Sequence, residues 1–283
     1  MKQNTMSKVW FITGAGSGMG TAIARSALRS GDRVVATGRN LEKVRKVFTD
    51  VAPEHIAFVQ MDVTNEIQVQ AAVDEAMQRF GRIDVLVNNA GYSLLGNFEQ
   101  MTTAEIQQQF ATNFYGVMHP MQAVLPVLRR QRSGHIINIS SVAGVVGLKH
   151  CAAYAATKFA VEGLSLSVAT EVEKFGIKIT VVEPGFFRTD LLKAQNVRWV
   201  GKVIEDYAPE GTAENMWSQY DGTQPNDPAK LGDALVKIVA MQNPPKVFVA
   251  GSDDLSMITP AIEERLREVN ANETLSKSMD GSF

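Results

Sequence analysis

A tyrosine and a lysine four residues apart, in Tyr154-Ala155-Ala156-Thr157-Lys158, are the residues of this chain best suited to proton chemistry. On a helix the two share a face. A phenol of pKa about 10 is a weak base at neutral pH, and a neighbouring ammonium favours its ionised form. Such a pair suits a reaction in which negative charge builds on a carbonyl oxygen. One group must then donate a proton, and a second donor should steady the oxygen. Ser140 and Ser141, which end the apolar run His135 to Ile139, can supply that second donor. Side chains alternate along a strand, so only one of the two serines should face a substrate.

A Tyr–Lys pair is common on helices, and the elements before it give this one its meaning. Thr13-Gly14-Ala15-Gly16-Ser17-Gly18-Met19-Gly20 follows the apolar run Val9 to Ile12 and precedes a helical pattern from about Gly18 to Ser30. A glycine-rich turn in that setting lets backbone N–H groups and a helix N-terminus approach a pyrophosphate. Gly14, Gly18 and Gly20 would give the tight turn, the close ligand approach and the close helix packing. The spacing is not G-x-G-x-x-G, because Met19 stands at the third position counted from Gly14.

These residues need a scaffold, and the rest of the chain describes one. Short apolar runs at Arg33–Thr37, Ile56–Val59, Val85–Val87, Lys178–Val182 and Lys246–Val249 join the two already named to make seven strands. Helical patterns fall between them: Leu41–Phe48 capped by Asn40, Glu66–Phe80, a long stretch from Thr103 kinked at Pro126, Ala152–Phe175, and Pro228–Met241. Strands apolar on both faces, alternating with helices, predict an α/β fold with a doubly wound parallel seven-stranded sheet. The whole of residues 1–283 reads as a single Rossmann-like domain. The pattern breaks over about 186–227, and a tail runs over about 253–283, where Ile262, Leu266 and Val269 share one side of a helix.

Composition narrows the functional classes. With 45% hydrophobic and 20% charged residues the chain matches ordinary globular proteins. A net charge of −2 without charge runs argues against nucleic acid or an anionic membrane as the main partner. Cys151 alone excludes an intrachain disulfide, and the four scattered histidines do not suggest a metal site. No apolar stretch reaches membrane-spanning length, and none has the form of a signal peptide, so a cytoplasmic protein is expected.

Thr-Gly-x-x-x-Gly-x-Gly, followed by Asn88-Asn89-Ala90-Gly91, Asn113, Ser141 and Tyr154-x-x-x-Lys158, resembles the short-chain dehydrogenase/reductase family over roughly residues 8–250. The resemblance implies hydride transfer between a nicotinamide cofactor and a carbonyl or secondary alcohol. It implies Ser141 as the catalytic serine, thirteen residues before the tyrosine, with Asn113 holding a water beside Lys158 for proton relay. Cofactor contacts would come from Gly14, Ser17, Gly18, Met19, Gly20, Asn89, Ala90 and Gly91, and from Asp62 and Val63 at the adenine. Pro184, Gly185 and Thr189 would hold the carboxamide, and Tyr154 and Lys158 would also touch the cofactor. At the end of the second strand Gly38 and Arg39 replace the acidic residue that would select NAD, which implies NADP; Ser17 stands where NADP-preferring relatives often place a second basic residue.

The resemblance also places a substrate lid over about 186–227. Its aromatic residues suit an apolar small-molecule carbonyl or alcohol, and relatives pair through the helices near 103–131 and 152–175 into homodimers or homotetramers. Two other readings use the same elements: a sugar-nucleotide epimerase with the same Tyr–Lys pair, and a non-catalytic NADP-sensing regulator.

Overall fold

The computed structural model describes residues 7–193 and 196–281. Residues 194–195 of the expected lid, and the ends of the expected domain at 1–6 and 282–283, lie outside the described residues.

Strand alternation explains the apolar runs. In β1 (Val9–Ile12), Val9 and Phe11 pack into one core layer, while Trp10 and Ile12 pack into the other. The same division runs through β2 (Arg33–Gly38), β3 (Ile56–Gln60), β4 (Val85–Asn88), β6 (Gly134–Ile139) and β7 (Ile177–Pro184), while the edge strand β9 (Val247–Ala250) packs into one layer only. These seven pair in parallel in the order β3-β2-β1-β4-β6-β7-β9. α1 (Gly18–Arg29), α2 (Leu41–Lys46) and α8 (Pro228–Ala240) cover one face. α3 (Glu66–Phe80), α5 (Gly116–Gln131) and α6 (Ala152–Val172) cover the other. Both faces are buried, as a parallel sheet requires. The order reverses direction between β1 and β4, where an open α/β sheet binds its ligands.

A polar chain crosses this apolar interior. Asn88 at the end of β4 donates through Nδ2 to Asn138 Oδ1 in β6 at 2.8 Å, and Asn138 Nδ2 donates to Ser165 Oγ in α6 at 2.8 Å. All three residues are buried. The chain holds α6, and with it the Tyr–Lys pair, in a defined position over the centre of the sheet.

Three features depart from the sequence reading. The long helix is broken by a π-helical turn over Ala111–Tyr115 between α4 (Thr103–Phe110) and α5, rather than only bent at Pro126. The Gly116 N–H donates to the Ala111 carbonyl, five residues back, which closes the π turn, and α5 carries both Pro120 and Pro126. Gly116 itself must be small, since a Cβ there would lie 2.6 Å from Val63 Cγ2. Second, β5 (Ser93–Leu95) and β8 (Val197–Trp199) form a separate two-stranded parallel sheet that ties the segment after β7 to the loop after β4. That segment also contains α7 (Ala213–Ser218). Third, the tail forms α9 (Ser252–Ala271) and α10 (Glu273–Lys277), but Ile262, Leu266 and Val269 are exposed, so they do not cap the pocket of their own chain. Among the described residues no helix is long and apolar enough to cross a membrane.

Replacing Asn138 by Ala leaves buried polar groups of Asn88 and Ser165 without their partner. A loss of about 2–3 kcal/mol in urea unfolding is expected, against little change for Ile67→Ala on the exposed face of α3.

Candidate active site

The glycine-rich turn is held from both sides by strand ends. Thr13 N donates to Val87 O at 3.0 Å and Ala15 N to Thr37 O at 2.9 Å. The Thr13 hydroxyl accepts from the Asn89 and Ala90 amides at 2.9 and 3.0 Å. Asn89 Nδ2 donates to the Thr13 and Gly14 carbonyls. Gly14 and Gly18 take φ of 67° and 53°, in the left-handed region that glycine tolerates. A Cβ on Gly20 would fall 2.4 Å from Gly14 O. Ser17 occupies the N-cap of α1 in extended backbone without a side-chain capping bond, and the first turn carries no acidic residue. A bare helix N-terminus facing a loop with no room for side chains fits a pyrophosphate.

The other expected cofactor residues converge unevenly on this cradle. Thr189 lies against Gly18, and Gly91 against the Asn113 amide. Val63 is buried with its side chain against Gly116, and Asp62 Oδ1 accepts from both the amide and the hydroxyl of Thr64. Arg39 is exposed beyond the end of β2. A cleft beside the glycine turn adds Lys43 and Lys46, together with Arg25 and Arg29. The arginines pair with Asp50 and Asp233, whereas among the described residues neither lysine forms an ion pair. Sequence reading passed over Lys43, although it stands one helical turn after Arg39.

On α6, Tyr154 and Lys158 face the carboxyl ends of β6 and β7. Lys158 is buried, and its Nζ donates to Ile139 O at 2.8 Å, 5.6 Å from the centre of the Tyr154 ring. Ser141 and Tyr154 line one cavity; Ser140 does not, and its buried hydroxyl lacks a partner. Ser141 Oγ also accepts from Ala143 N at 3.2 Å, opening the short turn Val142–Gly144. Asn113 lies in the π turn, and its amide is taken by Tyr92, whose N–H donates to Oδ1 and whose carbonyl accepts from Nδ2. Any help it gives to a relay must come from its main chain.

The electrostatics correct one expectation. Without cofactor the lysine does not bring the phenol down: burial pushes Tyr154 up to about 12, opposed by the Ser141 hydrogen bond. Burial likewise pushes Lys158 down to about 8, opposed by Glu162. In each case losing water outweighs the neighbours.

Three carboxyls behind this pair escaped the sequence reading. Glu162 is raised to about 7 by burial. Glu183, on β7, is also raised by burial. Asp254, in the first turn of α9, is fully buried with both oxygens unpartnered, and is raised to about 8 by burial and then by Asp253 and Glu183. Glu162 carried a signal, since it extends the Tyr154–Lys158 spacing by one more turn. Asp254 carried none, because only the tertiary fold brings α9 against Gly185.

The cavity, about 580 Å³ including its open mouth, is walled by Leu148, Phe186, Phe187, Leu191 and Leu192. Phe186 stacks with both Trp217 and Tyr220, which are tilted against each other, with centroids 5.3–6.0 Å apart. Cys151 also lines it, its thiol pushed up to about 12 by burial.

A carboxyl with a folded pKa above its unfolded one holds its proton better when folded. Stability therefore falls as pH climbs from the ordinary carboxylate range towards about 8. Between pH 6 and 8 Asp254 should cost about 2 kcal/mol; denaturant unfolding across that range should show a shallower pH slope for Asp254→Asn than for the parent.

Comparison with known proteins agrees with this architecture. The family described as short chain dehydrogenase matches residues 8–198. A 3-ketodihydrosphingosine reductase of Bacteroides thetaiotaomicron is 40% identical over 84% of this chain and 86% of its own. A short-chain dehydrogenase from Streptomyces avermitilis superposes with TM-score 0.89 at 34% identity, over 98% of this chain and all of that one. ElxO with bound NADP (TM-score 0.74, 30% identity, 89% of this chain and all of its own) is also similar. So is a Burkholderia phymatum short-chain dehydrogenase/reductase in complex with NAD (TM-score 0.77, 25% identity, 95% of each chain). The chain belongs to the short-chain dehydrogenase/reductase family and is an oxidoreductase acting on CH–OH or C=O groups with NAD(P).

Proposed function

We propose that this enzyme transfers a hydride between NADP(H) and the carbonyl or secondary alcohol of an apolar small molecule, using Tyr154, Lys158, Ser141 and Asn113. The observation that carries the reading is that Tyr154 and Ser141 line one largely apolar cavity beyond the carboxyl end of β6. When bound, the reduced nicotinamide supplies the hydride. Ser141 donates a hydrogen bond to the carbonyl oxygen and orients it, and Tyr154 delivers its proton to that oxygen as charge builds there. A phenol held near 12 stays protonated at neutral pH, which suits the reducing direction. Lys158, anchored on Ile139 O, binds the nicotinamide ribose and offsets the charge left on the phenolate. Asn113, through its main chain, supports the return of a proton to Lys158. The Bacteroides relative is named for a ketone on a long alkyl chain, and the apolar cavity supports a similar class here.

Preference for NADP over NAD is supported by Arg39 with the unpaired Lys43 and Lys46, a cationic setting for a 2′-phosphate. The exposed Tyr115 in the π turn leading into α5, with Phe159 and Leu166 on α6, supports a homodimer or homotetramer built on those helices.

Tyr154→Phe should lower kcat at least ~10²-fold while NADPH binding, followed by fluorescence, stays within about twofold. Residual activity within tenfold of the parent would defeat the assignment. The double change Arg39→Asp with Lys43→Ala should shift the NADPH-to-NADH ratio of kcat/KM towards NADH by more than tenfold. An unchanged ratio would place the preference elsewhere.

A further inference from the structure

The segment between β7 and α8 meets one side chain from outside it at both of its ends. Asp253, in the first turn of α9, accepts from Phe186 N through Oδ2 at 2.9 Å and from Asn226 Nδ2 through Oδ1 at 2.7 Å. Among the described residues, neither of these two donors has another acceptor. The ends also bond each other: Asn226 N donates to Phe186 O at 3.2 Å and Arg188 N to Asn226 O at 2.9 Å. Those main-chain bonds align the two ends, and the carboxylate ties the aligned pair to α9.

The contact is tightly fitted. A Cβ on Gly185 would lie 2.5 Å from Asp253 Oδ2, and one on Gly251 would lie 2.4 Å from Asp253 Oδ1 and 2.8 Å from Asn226 Nδ2. The anchor itself is seated in the domain, because Asp254 and Ile258, the buried residues of α9, flank Asp253 on the inner side of the first two turns. What Asp253 holds reaches the cavity directly. Gly185, Phe186 and Phe187 all line it, and the Phe186 ring stacks with Trp217 at 6.0 Å and Tyr220 at 5.3 Å. The glycine cradle and Lys158 are fixed by other bonds, from Asn89 to Thr13 and from Lys158 to Ile139, none of which involves α9.

We propose that Asp253 is a positioning residue for the substrate: by joining both ends of the segment to α9 it sets the Phe186 wall of the cavity, and with it the strength of substrate binding. The proposal rests on the carbonyl chemistry proposed above and adds a residue that lies outside both the catalytic groups and the segment that walls the cavity. Two consequences follow from the geometry. Loss of the bridge acts on substrate binding and leaves the hydride and proton steps, which are referenced to β6, in place. The bridge also needs two correctly placed bonds rather than a charge. Asparagine meets that need, since its Oδ1 accepts from Phe186 N while its Nδ2 donates to Asn226 Oδ1 once the Asn226 amide turns over.

The test uses the full-length enzyme with NADPH and 2-hexanone, 2-octanone and 2-decanone as probe ketones. Asp253→Ala should raise KM for the best of them about tenfold, with kcat and NADPH binding within about threefold of the parent. Asp253→Asn should stay within about threefold of the parent in KM and kcat alike. An unchanged KM in Asp253→Ala, or a loss confined to kcat, overturns the proposal. So does an Asp253→Asn enzyme as impaired as Asp253→Ala, because charge would then be at work rather than the bridge. Should Asp253→Ala fail to fold, Asn226→Ala cuts the returning end alone; a KM raised at least about threefold supports the proposal, and an unchanged KM overturns it. If the parent turns over no ketone, the proposed function fails, and trypsin decides the proposal separately. Arg188, Lys193, Arg198 and Lys202 give trypsin sites within the segment. Cleavage there should be about tenfold faster in Asp253→Ala than in the parent or in Asp253→Asn, because release of both ends raises the population of the open segment. Equal rates in all three overturn it.

Discussion

One buried cation organises the centre of this enzyme. The Lys158 ammonium is removed from water and held on the main-chain carbonyl of Ile139, where β6 ends. That bond fixes α6 against the carboxyl edge of the sheet. It sets Tyr154, one turn earlier, beside Ser141, two residues beyond Ile139. Burial works against the charge, bringing Lys158 down to about 8, and Glu162, one turn further along the helix, opposes that fall. The same desolvation raises Glu162 to about 7 and Asp254 to about 8, so these carboxyls share the edge with Lys158 without all being ionised at once.

The core carries paired polar groups: Asn138 with Asn88 and Ser165, His135 with Thr180, Thr37 with Ile12. Among the described residues, buried atoms without a partner occur on Ser7, Arg33, Asn88 and His150 as well as on Ser140, Glu162, Asp254, Trp217 and Gln224, and Asp254 stands out among them because both of its carboxylate oxygens are unmet.

How much of this was legible in the sequence depends on whether local pattern or tertiary contact decides the feature. The strands were legible because both core layers demand apolar residues at every position, as Val9 to Ile12 show. The glycine turn was legible because glycine takes the left-handed φ of Gly14 and Gly18 without strain and Gly20 has no room for a Cβ. Ser141 could be separated from Ser140 by its spacing to Tyr154, and the cavity wall agrees with that choice. The β5–β8 pair was not legible, because each strand has three residues and finds its partner about a hundred residues away. The π turn was not legible, because Ala111–Tyr115 carries the same local pattern as the helices on either side of it. The upward shift of Tyr154 was hidden for a different reason: spacing reveals a neighbouring charge, but only the folded structure reveals how much water has been removed.

The site divides its work between rigid and added parts. The strand ends carry the groups that act on any carbonyl, and Ser141, Lys158 and the Thr13–Asn89 contacts are all referenced to main-chain atoms of the sheet edge. The segment after β7 carries groups that can only select. Within it, Asn226 N donates to Phe186 O and the Arg188 side chain to Gln224 O, and it is joined to the β4 loop through β5 and β8. Leu191, Trp217 and Gln224 line the cavity from this segment. Substitutions there alter what the cavity accepts while the geometry around Tyr154 stays referenced to β6. That separation is how one fold serves many substrates with a single chemistry, and in this chain the boundary between the two parts falls at Gly185, the first residue after β7.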